Sequence, residues 1–217
     1  MTVEEAYLLA KWVTETAPQA TLALGPVRVV GEDDTYPKDV HGRPATPVKF
    51  TIRAEKCPNR RGVEAVLRHF TKNVANLGDV LGRAASGSLS AVYLVGGDPS
   101  GWIDESQAEA LGKSGTVVVQ DILPSAASAK ATFILPGGSF AERDGTFVNH
   151  AGLAQAIHRA VRGPGESRPD GRILWELAGR KGLFRAATVR EEIAATIAAL
   201  AGLAGELGPT GRKVISD

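Results

Sequence analysis

Three observations in the sequence predict an α/β fold, a partial doubly wound (Rossmann-like) parallel sheet extended by C-terminal helices. Three short apolar runs, SAVYLV (90–95), TVVVQD (116–121) and ATFILP (131–136), lack the alternation of a half-exposed strand. Connecting segments separate them, one of which, DESQAEALGK (104–113), has helical spacing. Runs buried on both faces and joined by crossovers mark parallel strands, and the right-handed rule makes them part of one doubly wound sheet. Finally, 43% of the 217 residues are hydrophobic and 23% charged, enough to bury a core and too apolar for disorder.

The remaining elements follow in order. Ala6, Leu8, Leu9, Trp12 and Val13 recur at helical spacing over residues 3–16, with Thr2 as N-cap and Glu5 at capping-box distance. Pro18 ends this helix, and residues 20–30 read as a strand broken near Gly25 and Pro26. Residues 31–47 are polar and rich in Pro, Gly and Asp, which predicts an exposed loop, and 48–52 (VKFTI) a short strand. After the turn CPNRRG come a helix over 62–77 and a second over 77–85, stopped at Ser86 and Gly87. Beyond Asn149 the chain turns Ala-rich, which predicts helix. Residues 162–171 read as a polar linker, 172–182 as a short amphipathic helix, and 188–203 as a longer one with Glu191 and Glu192 in its first turn. The tail, 205–217, is expected to be mobile. These readings divide the chain into an α/β domain over 1–161 and a helical extension over 162–217.

Charge and sulfur exclude several functions. Lys and Arg number 25 against 24 Asp and Glu, so the formal charge of +1 offers no basic surface for nucleic acid or lipid headgroups. A single Cys57 cannot form an internal disulfide, a thiolate zinc site or an Fe–S cluster. No apolar run approaches the ~20 residues that cross a bilayer, and MTVEEAYLLAKWV has no basic leader. A cytoplasmic protein is expected, or one held at the membrane periphery through a complex.

Ligands of open α/β sheets bind beyond the carboxyl ends of the strands. Three such ends are recognisable here: Gly96-Gly97-Asp98-Pro99, Gln120-Asp121 and Pro136-Gly137-Gly138-Ser139. Glycines admit a ligand to the backbone, and a terminal acid can accept hydrogen bonds from ribose hydroxyls or a base edge. The same residues also make ordinary turns, so both readings stand. No G-x-G-x-x-G occurs, and the glycines of GPTGRK (208–213) are misplaced for a P-loop. Glu142, Asp144 and His150 fall within nine positions, where a hydrogen-bonded loop competes with a general base. His41, His69 and the pair His150 and His158 lack metal-ligand spacing, so neither a metal site nor a catalytic residue is assigned.

The string VVVQDILPSAASAKATFILPGGSFAERDGTFVNHAGLAQ (117–155) resembles the molybdopterin oxidoreductase superfamily. Members there show an apolar strand ending in Asp, an A-D-x-x-L-P strand, then E-x-D-G-T-F-x-N and E-G-R-x-Q. Upstream, LVGGDP stands where the family has a strand and G-x-N-P, and EEAYLLAKWV resembles its opening helix. CPNRRGVEAV, with the closing helices, is most similar to the C-terminal region of the large G-type subunit of NADH-quinone oxidoreductase.

The resemblance implies a cleft for molybdopterin guanine dinucleotide, or the same fold after loss of that cofactor. Carried over, Gly97, Asp98 and Pro99 would approach one nucleotide and Asp121 would face its guanosine. Glu142, Asp144, Gly145 and Asn149 would form the loop beside it. This sequence departs from the family at three places: Pro124-Ser125-Ala126 replaces Thr-Glu-Thr, Lys130-Ala131-Thr132 lacks the Asp, and Ala151-Gly152-Leu153 replaces E-G-R. Those losses predict that the chain alone binds no cofactor. The expected function is an accessory or structural component of an NADH-quinone oxidoreductase type complex, beside partner subunits carrying Fe–S or NADH sites. Two alternatives remain: a subunit that completes a molybdopterin guanine dinucleotide site of a formate-dehydrogenase-like enzyme, and a non-redox interaction module whose Ala-rich helices form a homodimer face.

Overall fold

The computed structural model describes residues 1–98 and 101–215. Helix α1 (Val3–Thr16) opens on the capping box its sequence predicts. Thr2 Oγ1 accepts from the Glu5 N–H at 3.2 Å and Glu5 Oε2 accepts from the Thr2 N–H at 2.7 Å. Two-residue strand β1 (Ala23–Leu24) follows, then a ribbon in which β2 (Asp34–Tyr36) pairs antiparallel with β3 (Phe50–Ile52). No residue from 23 to 58 is buried, in keeping with the exposed segment its composition predicts.

Helix α2 (Arg60–Phe70) leads to β4 (Ala75–Asn76), which pairs parallel with β1, and directly into α3 (Leu77–Ala85), capped by Asn76. The central sheet is parallel, in the order β5 (Ala91–Val95), β6 (Thr116–Asp121), β7 (Phe133–Pro136), with α4 (Glu105–Leu111) crossing between the first two. Val92, Val117 and Val119 pack with Ala84 of α3 and Leu111 of α4 on one face, while Tyr93 on the other meets Trp12 of α1. Helices on both faces are what the unbroken apolar runs require. Strand β7 is less covered than its composition predicts, with Phe133 and Ile134 more than half exposed, because it is the edge of the sheet.

The stretch directly after Asn149 leads into strand, not the helix its alanines predict. Strands β8 (Gly145–Val148) and β9 (Leu153–Ile157) form an antiparallel hairpin. Asn149 Oδ1 accepts from the N–H groups of Ala151 and Leu153, and Gly152 takes φ +74° at the turn, so turn chemistry overrides the helical preference of alanine. Helices α5 (Asp170–Leu177) and α6 (Ala186–Thr196) follow. Because α6 begins early, Glu192 lies beyond its first turn and instead accepts from Arg180 at 2.7 and 2.8 Å and from Tyr7 Oη at 2.9 Å. The tail is ordered rather than mobile as far as it is described: β10 (Arg212–Lys213) adds to β9, and the Val214 N–H donates to Gly152 O at 2.9 Å. The main core gathers α1, α2, α5 and α6 around Tyr7, Leu8, Leu174, Ile193, Leu200 and Leu203.

Candidate functional site at the strand ends

The carboxyl ends of β5, β6 and β7 are tied together by backbone. The Gly96 N–H donates to Gln120 O at 2.8 Å and the Gly137 N–H to Asp121 O at 2.9 Å. The Asp121 carboxylate folds beneath Gly96 so closely that any side chain there would overlap it, which is why glycine follows β5. Burial pushes the Asp121 carboxyl above the usual aspartate range. Opposing this are the N–H of Ile122, 2.7 Å from Oδ1, the Trp102 indole, and the N–H groups of Gly97 and Leu123.

Gly97 sits at φ +124°, a region that disfavours side chains, with open space around its α-carbon. Asp98 is one-third exposed and stands 3.7 Å from the Arg28 guanidinium. Pro99 lies outside the described residues. Gly97, Asp98 and Asp121 are thus brought to one edge of the sheet. Glu142 reaches the neighbouring turn, where its carboxylate accepts from the Ser139 N–H at 2.8 Å and packs against Gly138.

The other residues singled out from sequence stand elsewhere. Asp144 is exposed, accepting from the Arg159 N–H at 3.2 Å with His158 Nδ1 3.8 Å away. Gly145 presses on Thr2 at the start of α1, and Asn149 closes the β8–β9 turn. Among the described residues, no group of three or more His, Cys, Asp or Glu could hold a metal ion, and no helix is long and apolar enough to cross a membrane.

Sequence reasoning passed over the charged groups beneath this edge. Arg143 bonds Glu5 Oε2 at 2.7 Å and Asp170 Oδ2 at 2.5 Å, each side chain at most 5% exposed. Glu5 also accepts from the Gly171 N–H at 3.1 Å. A methyl group on Gly137 would lie 2.5 Å from Asp170 Oδ1, so this cluster forms the floor of the turn after β7. Its members are 27 to 165 positions apart, beyond any local pattern.

A parallel sheet bearing glycine turns and an acid at its carboxyl edge belongs to the α/β class that binds ligands at strand ends. The chain belongs to the molybdopterin oxidoreductase family, whose model matches residues 51–180. It is 35% identical over 130 residues to the NADPH-Fe(3+) oxidoreductase subunit alpha of Geobacter sulfurreducens, covering 57% of this chain and 15% of that protein. It is 31% identical over 151 residues to formate dehydrogenase H of Escherichia coli (69% and 20%). Over 118 residues it is 35% identical to the F420-dependent formate dehydrogenase 1 subunit alpha of Methanococcus maripaludis (52% and 17%). The chain spans about a sixth to a fifth of the length of these relatives.

Membership of this family overturns the expectation that the chain binds no cofactor, since the family implies a molybdopterin group. At the three places where the sequence departs from the family, local bonds shape the chain. Ser125 and Ser128 close a local turn at 2.8 Å, Thr132 Oγ1 accepts from the Val117 N–H at 3.1 Å, and Gly152 turns the β8–β9 hairpin. Ser125, Thr132 and Gly152 thus serve the chain's own backbone.

The strand ends fit part of a guanine dinucleotide. Gly97 leaves room at the backbone, and Asp98 offers carboxylate acceptors suited to ribose hydroxyls or base N–H groups.

Proposed function

We propose that the chain receives the nucleotide end of molybdopterin guanine dinucleotide at the carboxyl ends of β5, β6 and β7, as one part of a multisubunit oxidoreductase. The observation that carries this reading is the open backbone at Gly97 beside Asp98, anchored from below by Asp121. Gly97 and Asp98 bind and orient the nucleotide, and Asp121 holds their loop in place. When bound, the pterin and its metal supply the electron transfer. The single cysteine of residues 1–217 ligates no Fe–S cluster, so other electron carriers lie outside these residues.

Two kinds of complex suit this part. Relatives named formate dehydrogenase favour a formate-dehydrogenase-like enzyme. The Cys57–Gly62 turn favours an NADH-quinone type complex, and its Asn59 is a framework residue, donating to Met1 O at 3.0 Å and accepting from the Val148 N–H at 2.6 Å.

Titration of the chain with GMP, followed by backbone amide NMR, tests the site. Shifts confined to Gly96, Gly97, Asp98 and Gly137, weakened tenfold or more in Asp98→Ala, are expected. Millimolar GMP that leaves these amides unmoved refutes the reading. Co-purification from native extract with an Fe–S or NADH-binding subunit tests the partnership, and isolation of the chain alone or as a homodimer goes against it.

A further inference from the structure

The carboxyl edge of the central sheet is rich in acids. Asp98, Asp121 and Glu142 stand along it. The nucleotide proposed above carries phosphate, which carboxylates repel, so a site for it needs a cation at the same edge. A distant part of the chain brings one.

Arg28 follows β1 in a segment fastened to the base of the β2–β3 ribbon. Its N–H donates to Cys57 Sγ at 3.3 Å, its carbonyl accepts from the Lys56 N–H at 2.8 Å, and the Val30 N–H donates to Ala54 O at 2.9 Å. From this anchored backbone the half-exposed guanidinium reaches Asp98, with Nη1 3.7 Å from Oδ1. That separation exceeds a hydrogen bond, so the two groups attract without using the planar donors of the guanidinium. Among the described residues, none accepts a hydrogen bond from those donors. Exposed ion pairs of this kind add little to stability. The backbone bonds already hold the segment, so the contact is weak as a latch. It does hold a positive charge beside the open backbone of Gly97.

We propose that Arg28 is the phosphate-binding residue of the nucleotide site, its guanidinium turning from Asp98 to phosphate oxygens beside Gly97 while Asp98 takes the ribose or base. The assignment rests on the nucleotide reading and supplies the charge that reading lacks. A planar guanidinium meets two phosphate oxygens at once and stays protonated throughout the physiological range. Arg28 precedes residues 51–180, where the family model matches, so the folded contact with Asp98 is what identifies it. The ligand it selects is a nucleoside phosphate over the bare nucleoside.

GMP, guanosine and inorganic phosphate, titrated separately into the chain and followed by NMR, test the assignment. GMP is expected to bind about tenfold more tightly than guanosine, the contribution of a charge-assisted hydrogen bond. It should also move the Arg28 Nε–H further than guanosine or inorganic phosphate does. Arg28→Gln should lower GMP to the affinity of guanosine, and Arg28→Lys should restore part of the difference. A Gly97 amide unmoved by both GMP and guanosine sinks the nucleotide reading and this assignment with it. Binding at Gly97 without preference for GMP, or a preference that survives Arg28→Gln, overturns the assignment alone. So does an Arg28 that answers inorganic phosphate as strongly as GMP, which marks an ordinary surface cation. Should the variants fail to fold, the wild-type affinities and the Arg28 Nε–H shifts decide.

Discussion

Glu5 and Arg143, 138 positions apart, form an ion pair at 2.7 Å from which water is excluded, and Asp170 joins the same guanidinium at 2.5 Å. This cluster joins α1, the turn before β8 and the start of α5. It converts three separately predicted segments into one framework beneath the candidate site.

Removing the shared cation leaves two buried carboxylates without a counter-charge, although Glu5 keeps its bonds from the Thr2 and Gly171 N–H groups. Arg143→Met should therefore destabilise the chain by about 3–5 kcal/mol, the range for breaking a buried pair from one side. A lower urea midpoint at unchanged m-value checks this, and a shift under a quarter of that size would show that solvent reaches the cluster.

Asp170 makes stability depend on pH with a definite sign. Its carboxyl lies above the 3.8 of an ordinary aspartate, at about 6, so the folded chain binds more protons between those values. The stabilisation is complete below the lower value and is lost as pH rises through the upper one. In Asp170→Asn that loss, on the order of 1–3 kcal/mol, should vanish. Denaturant curves of both proteins across this window give the difference directly.

Glycine at the α1–β8 contact is steric rather than conformational. Gly145 has an ordinary φ, but a methyl group there would overlap Thr2. Gly145→Ala should cost about 1–3 kcal/mol by overpacking. Gly82, within α3 and with nothing near its α-carbon, provides the contrast, and Gly82→Ala should stabilise by up to about 1 kcal/mol. Thermal melts of the two variants should move in opposite directions.

Glu4 is fully buried and accepts from the Thr146 N–H at 2.8 Å and from Thr146 Oγ1 at 2.7 Å. Burial holds its carboxyl above the ordinary glutamate range. Thr146→Val keeps the β-branched shape on β8 and removes one donor, so a loss of about 1–3 kcal/mol is expected. The variant's deficit should shrink at low pH, where a protonated Glu4 needs that donor less.

Local elements were legible because their causes are local. Thr2 and Glu5 announce the α1 cap, and three apolar runs closing on Gly, Asp and Pro announce the parallel sheet and its carboxyl edge. Gly97, Asp98 and Asp121 could be placed at that edge because each closes or follows an apolar run. Strand β9 reads as helix in the sequence because Ala151, Ala154 and Ala156 favour one, a preference that is weak beside the bonds made by Asn149. Arg143 went unnoticed between Glu142 and Asp144, since nothing adjacent distinguishes a buried guanidinium from a solvated one.

From the residues alone come the parallel strands, the glycine turns after them and the kinship of residues 117–155 with molybdopterin oxidoreductases, because each is written within a few consecutive positions. Only the folded chain decides that Glu5, Arg143 and Asp170 share one dry site, that Tyr93 Oη donates to the buried Gln120, and that Asp121 turns under Gly96. Burial sets the charge and bonding of those groups, and burial depends on partners up to 165 positions away.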